Sequence, residues 1–173
     1  MEQYKRYLTS LDPLGRSVLT HDTSLTCRPL ANGTVARAYA LASIPANIAS
    51  NTDLSSYISA DHAQNEASHA GLETALPNGV VMTYFELGPG AETVFHRTLS
   101  VDFTILIEGG LEMELDSGEK VQLKPGDSVV QRATMHKWKN LSDENPVRLI
   151  GILCACQPVE VGGKMLREEW IGP

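Results

Sequence analysis

The chain has 173 residues, 42% of them hydrophobic and 20% charged, and 14 Lys and Arg against 21 Asp and Glu give a net charge of −7. This composition is typical of one globular domain and excludes a disordered chain. An acidic chain without a basic run is poorly suited to phosphate backbones, so we expect no nucleic-acid partner. No segment approaches about 18 consecutive apolar residues, so we expect no membrane partner either.

The cysteines and the N-terminal residues predict a cytoplasmic protein. The chain has an odd number of cysteines, namely Cys27, Cys154 and Cys156. The last two are two residues apart, so on a strand they point to the same face. That pattern is typical of reduced, buried thiols and not of a disulfide framework. The N-terminal segment contains no apolar stretch of about 7–15 residues, which a secretory signal requires.

Residues 1–79 are expected to form strands and covering loops that belong to the same domain as the rest of the chain. Residues 34–41 alternate between apolar and polar side chains and predict a strand. Residues 46–75 are rich in Ser, Asn, Asp and Ala, and they predict a loop with one or two short helical turns. This loop is either a lid or only an outer covering.

Short strands follow Gly79 at a spacing of about 8–12 residues, which is typical of a β-sandwich or barrel. Turn signals such as Asp116-Ser117-Gly118 separate the strands. The predicted strands cover residues 80–87, 101–108, 111–115, 121–123, 128–131, 135–140 and 147–156. We therefore predict an all-β fold, with a barrel core at residues 80–157 and a C-terminal tail at residues 158–173.

Two segments of the barrel place polar side chains on shared strand faces. Side chains alternate along a strand, so His96, Thr98 and Asp102 point to one face, and so do His136 and Trp138. A hairpin between the segments would bring two imidazoles and a carboxylate together inside the barrel. Two His and one carboxylate are a ligand set suited to Fe(II), or to Zn with a water as fourth ligand.

The first of these segments resembles the first motif of the cupin superfamily. That motif contains a Gly, two His separated by one residue, a Glu and a closing Gly. The chain matches it at Gly90, His96 and Gly109 with the spacing kept, while Thr98 replaces the second His and Asp102 stands at the Glu position. The resemblance implies a jelly-roll β-barrel of cupin type with an N-terminal extension of strands and loops.

The second segment is similar to the second cupin motif, which is shorter here by one residue. The match lies at Gly126, His136 and Asn140, and Gln131 and Ala133 replace the Pro and Gly of the motif. In cupins both His of the first motif, the Glu and the His of the second motif hold a metal. Only two of those imidazoles carry over unchanged to this chain.

A narrower resemblance is to small microbial and fungal cupins that contain HRTxSxD followed by GDxVxQRxTxHxW. The present chain reads HRTLSVD and GDSVVQRATMHKW. Proteins of this kind often accompany biosynthetic enzymes for secondary metabolites such as polyketides. The resemblance therefore implies a small-molecule substrate, no nucleotide cofactor, and a homodimer that pairs through N-terminal strands.

Three functions from different classes stay open at this point. The first is a metal-dependent enzyme on a small oxygenated metabolite, in which His96, Asp102 and His136 hold Fe or Zn. The second is a metal-free isomerase, dehydratase or cyclase, in which His96 or His136 is the general acid or base and Asp102 orients it. In both enzymes the substrate-binding residues are Thr98, Gln131 and Trp138. The third is a binding module without catalysis.

Several of these residues also have a purely structural interpretation. Asp102 pairs with Arg97 or Arg132 in one alternative, because a carboxylate in an apolar barrel must be paired, metal-bound or protonated. Trp138 either packs in the core or forms a wall of the pocket. Gln131 is either a pocket amide or an ordinary strand residue.

Overall fold

Short strands joined by turns make up residues 5–172, the range that this computed structural model describes, with the backbone alone at residues 21–24. A 3₁₀ turn (Ala49–Asn51) and helix α1 (Thr52–Ile58) lie between the fourth and fifth strands. In chain order the strands are β1 (Lys5–Leu11), β2 (Ser17–Ser24), β3 (Arg28–Leu30), β4 (Gly33–Leu41), β5 (Val80–Leu87), β6 (Phe95–Arg97), β7 (Ser100–Glu108), β8 (Leu111–Leu115), β9 (Lys120–Leu123), β10 (Ser128–Arg132), β11 (His136–Asn140), β12 (Val147–Ala155), β13 (Glu160–Val161), β14 (Lys164–Met165) and β15 (Glu169–Ile171).

Two antiparallel sheets form the barrel. The larger sheet has the strand order β10-β7-β12-β5-β4-β3, and the smaller sheet has the order β15-β6-β11-β8-β9. Apolar side chains from both sheets pack against each other, and burial of each large one contributes about 1.5–3 kcal/mol. This core comprises Leu87, Leu106, Leu111, Met113, Leu123, Trp138, Val147 and Leu149. The all-β barrel that the sequence predicts is therefore confirmed.

All seven strands that alternation predicts after Gly79 are present, whereas β6 and the strands after β12 are not predicted. β5 and β8 begin and end at the predicted residues, and the other predicted strands are displaced by one residue at one end. Gly109 and Gly118 follow β7 and β8 with φ of +87° and +88°. Glycine adopts this left-handed conformation without the steric cost of a Cβ, so both residues permit the tight turns that the sheet order requires.

The N-terminal segment completes the larger sheet. β4 pairs with β5 along its length, and its small side chains Ala36, Ala38 and Ala40 are buried. The short helical turns expected within residues 46–75 are present as the 3₁₀ turn and α1. No helix within residues 5–172 has both the length and the apolar character that spanning a membrane requires.

Two arginines fix residues 66–73, which we term the strap, to the larger sheet. Arg28 of β3 and Arg37 of β4 donate hydrogen bonds of 2.6–3.1 Å to the strap. The acceptors are the backbone carbonyl oxygens of Glu66, Ser68, Ala70, Gly71 and Glu73. A buried guanidinium is tolerated when its N–H groups are paired, so the buried Arg37 depends on the strap as much as the strap depends on Arg37.

The C-terminal segment forms strands, although the sequence predicts only a tail at residues 158–173. β13 and β14 form a short hairpin, and β15 pairs with β6 at the edge of the smaller sheet. An ion pair between Arg97 Nη1 and Glu169 Oε2, at 3.8 Å, joins the same two strands. The end of the chain is therefore attached to the strand that carries His96.

Candidate functional site

A cavity of about 530 Å³ lies between the two sheets. Pockets of about 300–1,000 Å³ are typical of sites for small molecules. The structure brings all six predicted site residues to this cavity, and their roles stay predictions. These residues are His96, Thr98, Asp102, Gln131, His136 and Trp138.

His96 and His136 form a pair of neighbouring rings. The two residues are directly opposite in the antiparallel pair β6–β11, and their ring centroids are 4.2 Å apart. Nδ1 of His96 bonds to the carbonyl oxygen of Val94 at 2.9 Å, and Nδ1 of His136 bonds to that of Thr134 at 3.0 Å. Because a carbonyl oxygen only accepts, each Nδ1 carries the proton and each Nε2 is left as a base.

Burial lowers the pKa of both imidazoles. For His136 burial is the larger cause and the charge on His96 the smaller, and together they lower the pKa from 6.5 to about 4. Burial likewise lowers the pKa of His96. A proton on one ring disfavours a second proton on its neighbour, so the pair binds a single proton first, which we assign to His96. Near pH 7 both rings are neutral.

Asp102 lies on β7, in the larger sheet, and only 8% of its surface is exposed. Its Oδ1 accepts a hydrogen bond from Ser100 Oγ. No ion pair to Asp102 is found within the described residues, and Arg97 pairs with Glu169 instead. Burial raises the pKa of Asp102 from 3.8 to about 6, against a smaller lowering by Ser100. This carboxyl group therefore exchanges its proton close to neutral pH, as functional carboxyl groups often do.

Gln131 lies beside Asp102, because the two residues are opposite in the pair β10–β7. The Gln131 side chain is 4% exposed, and its Oε1 has no hydrogen-bond partner in the described part of the chain. A buried polar atom without a partner costs about 1–3 kcal/mol. A ligand hydroxyl in the cavity would satisfy this acceptor, which favours the pocket interpretation of Gln131 over that of an ordinary strand residue.

Trp138 has both of the roles that the sequence leaves open. Only 5% of its surface is exposed, and it belongs to the apolar core between the sheets. It also lines the cavity and contacts the His136 ring edge to face, with 5.3 Å between the ring centroids. Edge-to-face packing is a favoured arrangement of aromatic rings, so Trp138 holds the imidazole in place from the core side.

A metal site made of His96, Asp102 and His136 requires all three side chains to reach one ion. Among the residues that the structure describes, no three His, Cys, Asp or Glu side chains are grouped closely enough to hold a metal. Asp102 lies on the other sheet from the imidazole pair and bonds to Ser100. Thr98 stands where the resemblance implies a further imidazole. This arrangement does not fit a metal held by three protein ligands, and metal binding stays a prediction of the sequence.

Parts of the cavity wall are not predicted by the sequence. They are Trp170 of β15, Leu72 of the strap, and the two arginines that hold the strap, Arg28 and Arg37. Trp170 follows both motifs on a strand of three residues, which is too short for a periodic signal. The strap belongs to residues 46–75, for which the sequence leaves both a lid and an outer covering open, and it has no periodic pattern that would decide between them.

A family model and a curated relative identify the same family. Residues 83–154 match the family described as "Cupin domain". Over 132 residues the chain is 40% identical to "Oryzines biosynthesis cluster protein J" of Aspergillus oryzae, which covers 76% of this chain and 70% of that one. Over 164 residues it is 34% identical to "Cupin-domain-containing oxidoreductase srdB" of Neurospora crassa, which covers 93% and 78%. A solved Klebsiella pneumoniae protein with a double-stranded β-helix domain has a TM-score of 0.40 and 22% identity, over 43% of this chain and 65% of that one.

Proposed function

Because this chain belongs to the cupin family, we propose that it is an enzyme of secondary metabolism that moves protons on a small oxygenated metabolite. In this proposal His96 is the general base, and no resident metal takes part. Proton removal is a step that isomerases, dehydratases and cyclases have in common. The relative named after an oryzines biosynthesis cluster supports a metabolite as substrate.

The observation that carries the proposal is the pair of neutral imidazoles. Backbone carbonyl oxygens hold both Nδ1–H groups, so the Nε2 atoms of His96 and His136 are available to a ligand. A substrate proton about 2.6–3.2 Å from the base is within reach for transfer. His96 accepts this proton, and its new positive charge stabilises the anion that forms on the substrate. His136 stays neutral and accepts a hydrogen bond from a substrate hydroxyl.

Asp102 supplies a second proton-exchanging group from the other sheet. Its pKa of about 6 leaves a fraction of the carboxyl group protonated near neutral pH. A base on one sheet and an acid on the other suit a reaction that removes a proton at one atom and returns one at another. Burial lowers the pKa of the imidazoles and raises that of the carboxyl group, and pKa values shifted in this way are common at functional sites.

The rest of the cavity supports a ligand with a mainly apolar body. Phe85, Leu149 and Leu153 line the larger-sheet side and give it an apolar surface. A few polar groups in an otherwise apolar pocket orient a ligand and determine specificity. A polyketide-like molecule with few hydroxyl or carbonyl groups matches this lining.

Metal-dependent oxidation is a second candidate. It is favoured by the two adjacent Nε2 atoms of His96 and His136 and by the name oxidoreductase that the Neurospora crassa relative carries. It requires a third ligand, which the described residues do not bring to the pair. For that reason we place it after the metal-free proposal.

Deuterium exchange at an enolisable carbon tests the proposal without the natural substrate. We expect the chelator-treated protein to accelerate exchange of the α-hydrogens of α-tetralone in D₂O, followed by ¹H NMR. His96→Gln should slow this exchange by about 10²–10⁴-fold. His62→Gln changes an exposed imidazole outside the cavity and should leave the rate unchanged.

Two results would contradict the metal-free base. One is exchange by the wild-type protein that is no faster than in buffer, which would favour a binding module. The other is full exchange by His96→Gln. Exchange that disappears on chelation and returns with added Fe(II) or Zn would favour the metal-dependent candidate instead.

A further inference from the structure

Trp170 continues a row of aromatic side chains across the smaller sheet. It is opposite His96 in the pair β15–β6, and His96 is opposite His136 in the pair β6–β11. Residues directly opposite on neighbouring strands point to the same face of a sheet, and all three line the cavity. Trp138 lies two residues after His136 on β11 and shares this face. The smaller sheet therefore presents four aromatic side chains to the cavity on one face, which we term the aromatic wall.

The two tryptophans of this wall differ in exposure. Trp138 is 5% exposed and is held in the core, whereas Trp170 is 54% exposed. Leu30 of β3 and Leu72 of the strap also line the cavity and are exposed, so these three large apolar side chains mark its opening. An indole with an open ring face at such a position is suited to stacking against another flat ring.

The polar groups of the cavity favour a neutral ligand that donates a hydrogen bond. Arg28 and Arg37 donate to strap carbonyl oxygens, and Arg37 also contacts Glu73 Oε2 at 3.3 Å. The cations of the cavity are therefore paired within the protein, which disfavours a carboxylate or phosphate ligand. Gln131 Oε1 lacks a partner, and a hydroxyl group is the donor that suits it.

We propose that Trp170 determines substrate specificity by stacking on a planar, hydroxylated aromatic substrate whose hydroxyl group donates to Gln131. The inference rests on the proposed function, because it names the substrate class for the same cavity. A ring that stacks on Trp170 lies beside His96, because these two residues are opposite in the pair β15–β6. A saturated ring system of the same skeleton fills a similar volume but lacks the flat face that stacks on the indole.

The two tryptophans of the chain both line the cavity, so their indole N–H signals in a ¹H–¹⁵N NMR spectrum report on this site. Naphthalene-1,3-diol is the planar probe, and decahydronaphthalene-1,3-diol is its saturated counterpart. We expect the planar diol to shift both indole signals and, by calorimetry, to bind about fivefold more tightly than the saturated diol. Trp170→Phe should keep this preference and Trp170→Leu should remove it.

Two control variants separate stacking from general effects on the opening. Ile171→Ala alters the neighbouring, exposed residue on the other face of β15 and should leave the preference unchanged. Gln131→Leu should weaken the binding of both diols, because both carry the hydroxyl group that donates to Gln131. The Trp138 indole signal of ligand-free Trp170→Leu should stay at its wild-type position, which shows that the variant keeps the fold.

Equal affinity of the wild-type protein for the two diols would overturn the inference, and so would a preference that survives in Trp170→Leu. His96→Gln separates this test from the test of the proposed function. This variant should lose proton exchange but keep the preference for the planar diol. Exchange that depends on His96 without any planar preference refutes the stacking role of Trp170 alone. Planar preference without exchange refutes the catalytic proposal alone.

Discussion

Asp102 and His136 make opposite contributions to stability below neutral pH, and Asp102→Asn separates them. The pKa of His136 falls from 6.5 to about 4 on folding, so the unfolded chain binds more protons in that window and stability decreases as the pH falls. The pKa of Asp102 rises from 3.8 to about 6. The folded chain therefore binds more protons between those values, and this contribution increases stability as the pH falls.

The two contributions nearly cancel in the wild-type protein. At about 1.4 kcal/mol per pH unit, His136 lowers the free energy of unfolding by about 3 kcal/mol between pH 7 and pH 4. Over the same interval Asp102 raises it by about 2 kcal/mol. We therefore expect a loss of about 1 kcal/mol from the two groups in the wild type and about 3 kcal/mol in Asp102→Asn. Asn keeps an oxygen that accepts the Ser100 hydrogen bond, so the substitution preserves the shape of the wall.

Urea unfolding followed by tryptophan fluorescence, in chelator-treated buffer across this pH range, measures the difference. Asp116→Asn is the matched control, because Asp116 is exposed in the turn after β8, and its profile should follow the wild type. His136→Gln should deviate in the opposite direction and gain stability relative to the wild type as the pH falls. Parallel profiles for the wild type and Asp102→Asn would refute the assignment of a raised pKa to Asp102.

Three further predictions concern the core, the metal and the assembly. Asn140 is fully buried and donates to the carbonyl oxygens of Leu87, Gly88 and Asn145 at 2.8–3.2 Å. Asn140→Ala should therefore lower the free energy of unfolding by about 2–4 kcal/mol. A smaller loss, measured by urea titration, would contradict this prediction. Thr98→His should add an imidazole beside the existing pair and tighten Co(II) binding, measured as the absorption of visible light by the bound ion. Absorption equal to that of the wild-type protein would count against this prediction. Light scattering at micromolar concentration should give twice the mass of one chain, and a monomer mass would exclude the homodimer that the resemblance implies.

Most strands of the barrel are predictable from the sequence because more and less buried side chains alternate along them, as in β7 and β11, whereas β6 is half-buried throughout and is not predicted. Alternation therefore marks them, and glycines mark the turns, so the predicted ends agree with the structure to within one residue. The meeting of His96 and His136 is predictable for a similar reason, since motif spacing places them on neighbouring strands. Alternation and turn glycines are local signals, and the meeting of the two imidazoles follows from the resemblance of two motifs to those of a known barrel.

Other parts of the site depend on tertiary pairing that no local pattern reports. Asp102 shares parity with His96, but the chain turns at Thr98 and Leu99 between β6 and β7, and the two strands join different sheets. Parity predicts the face of a strand and not the sheet to which it belongs, so it could not show that the carboxylate stands apart from the imidazoles. Trp170 reaches the cavity through the pairing of β15 with β6. A strand of three residues is too short for its sequence to predict this pairing.

The pairing of β4 with β5 has a consequence for any attempt to shorten this protein. The family match begins at residue 83, whereas β4, which precedes it by more than forty residues, covers the edge of β5 along its length. A chain cut to residues 83–154 would leave a row of unpaired N–H and C=O groups on an apolar strand. Exposed edges of this kind pair with other copies, so the shortened chain should aggregate where the full chain folds. We therefore expect the smallest independently folding unit to begin no later than Gly33.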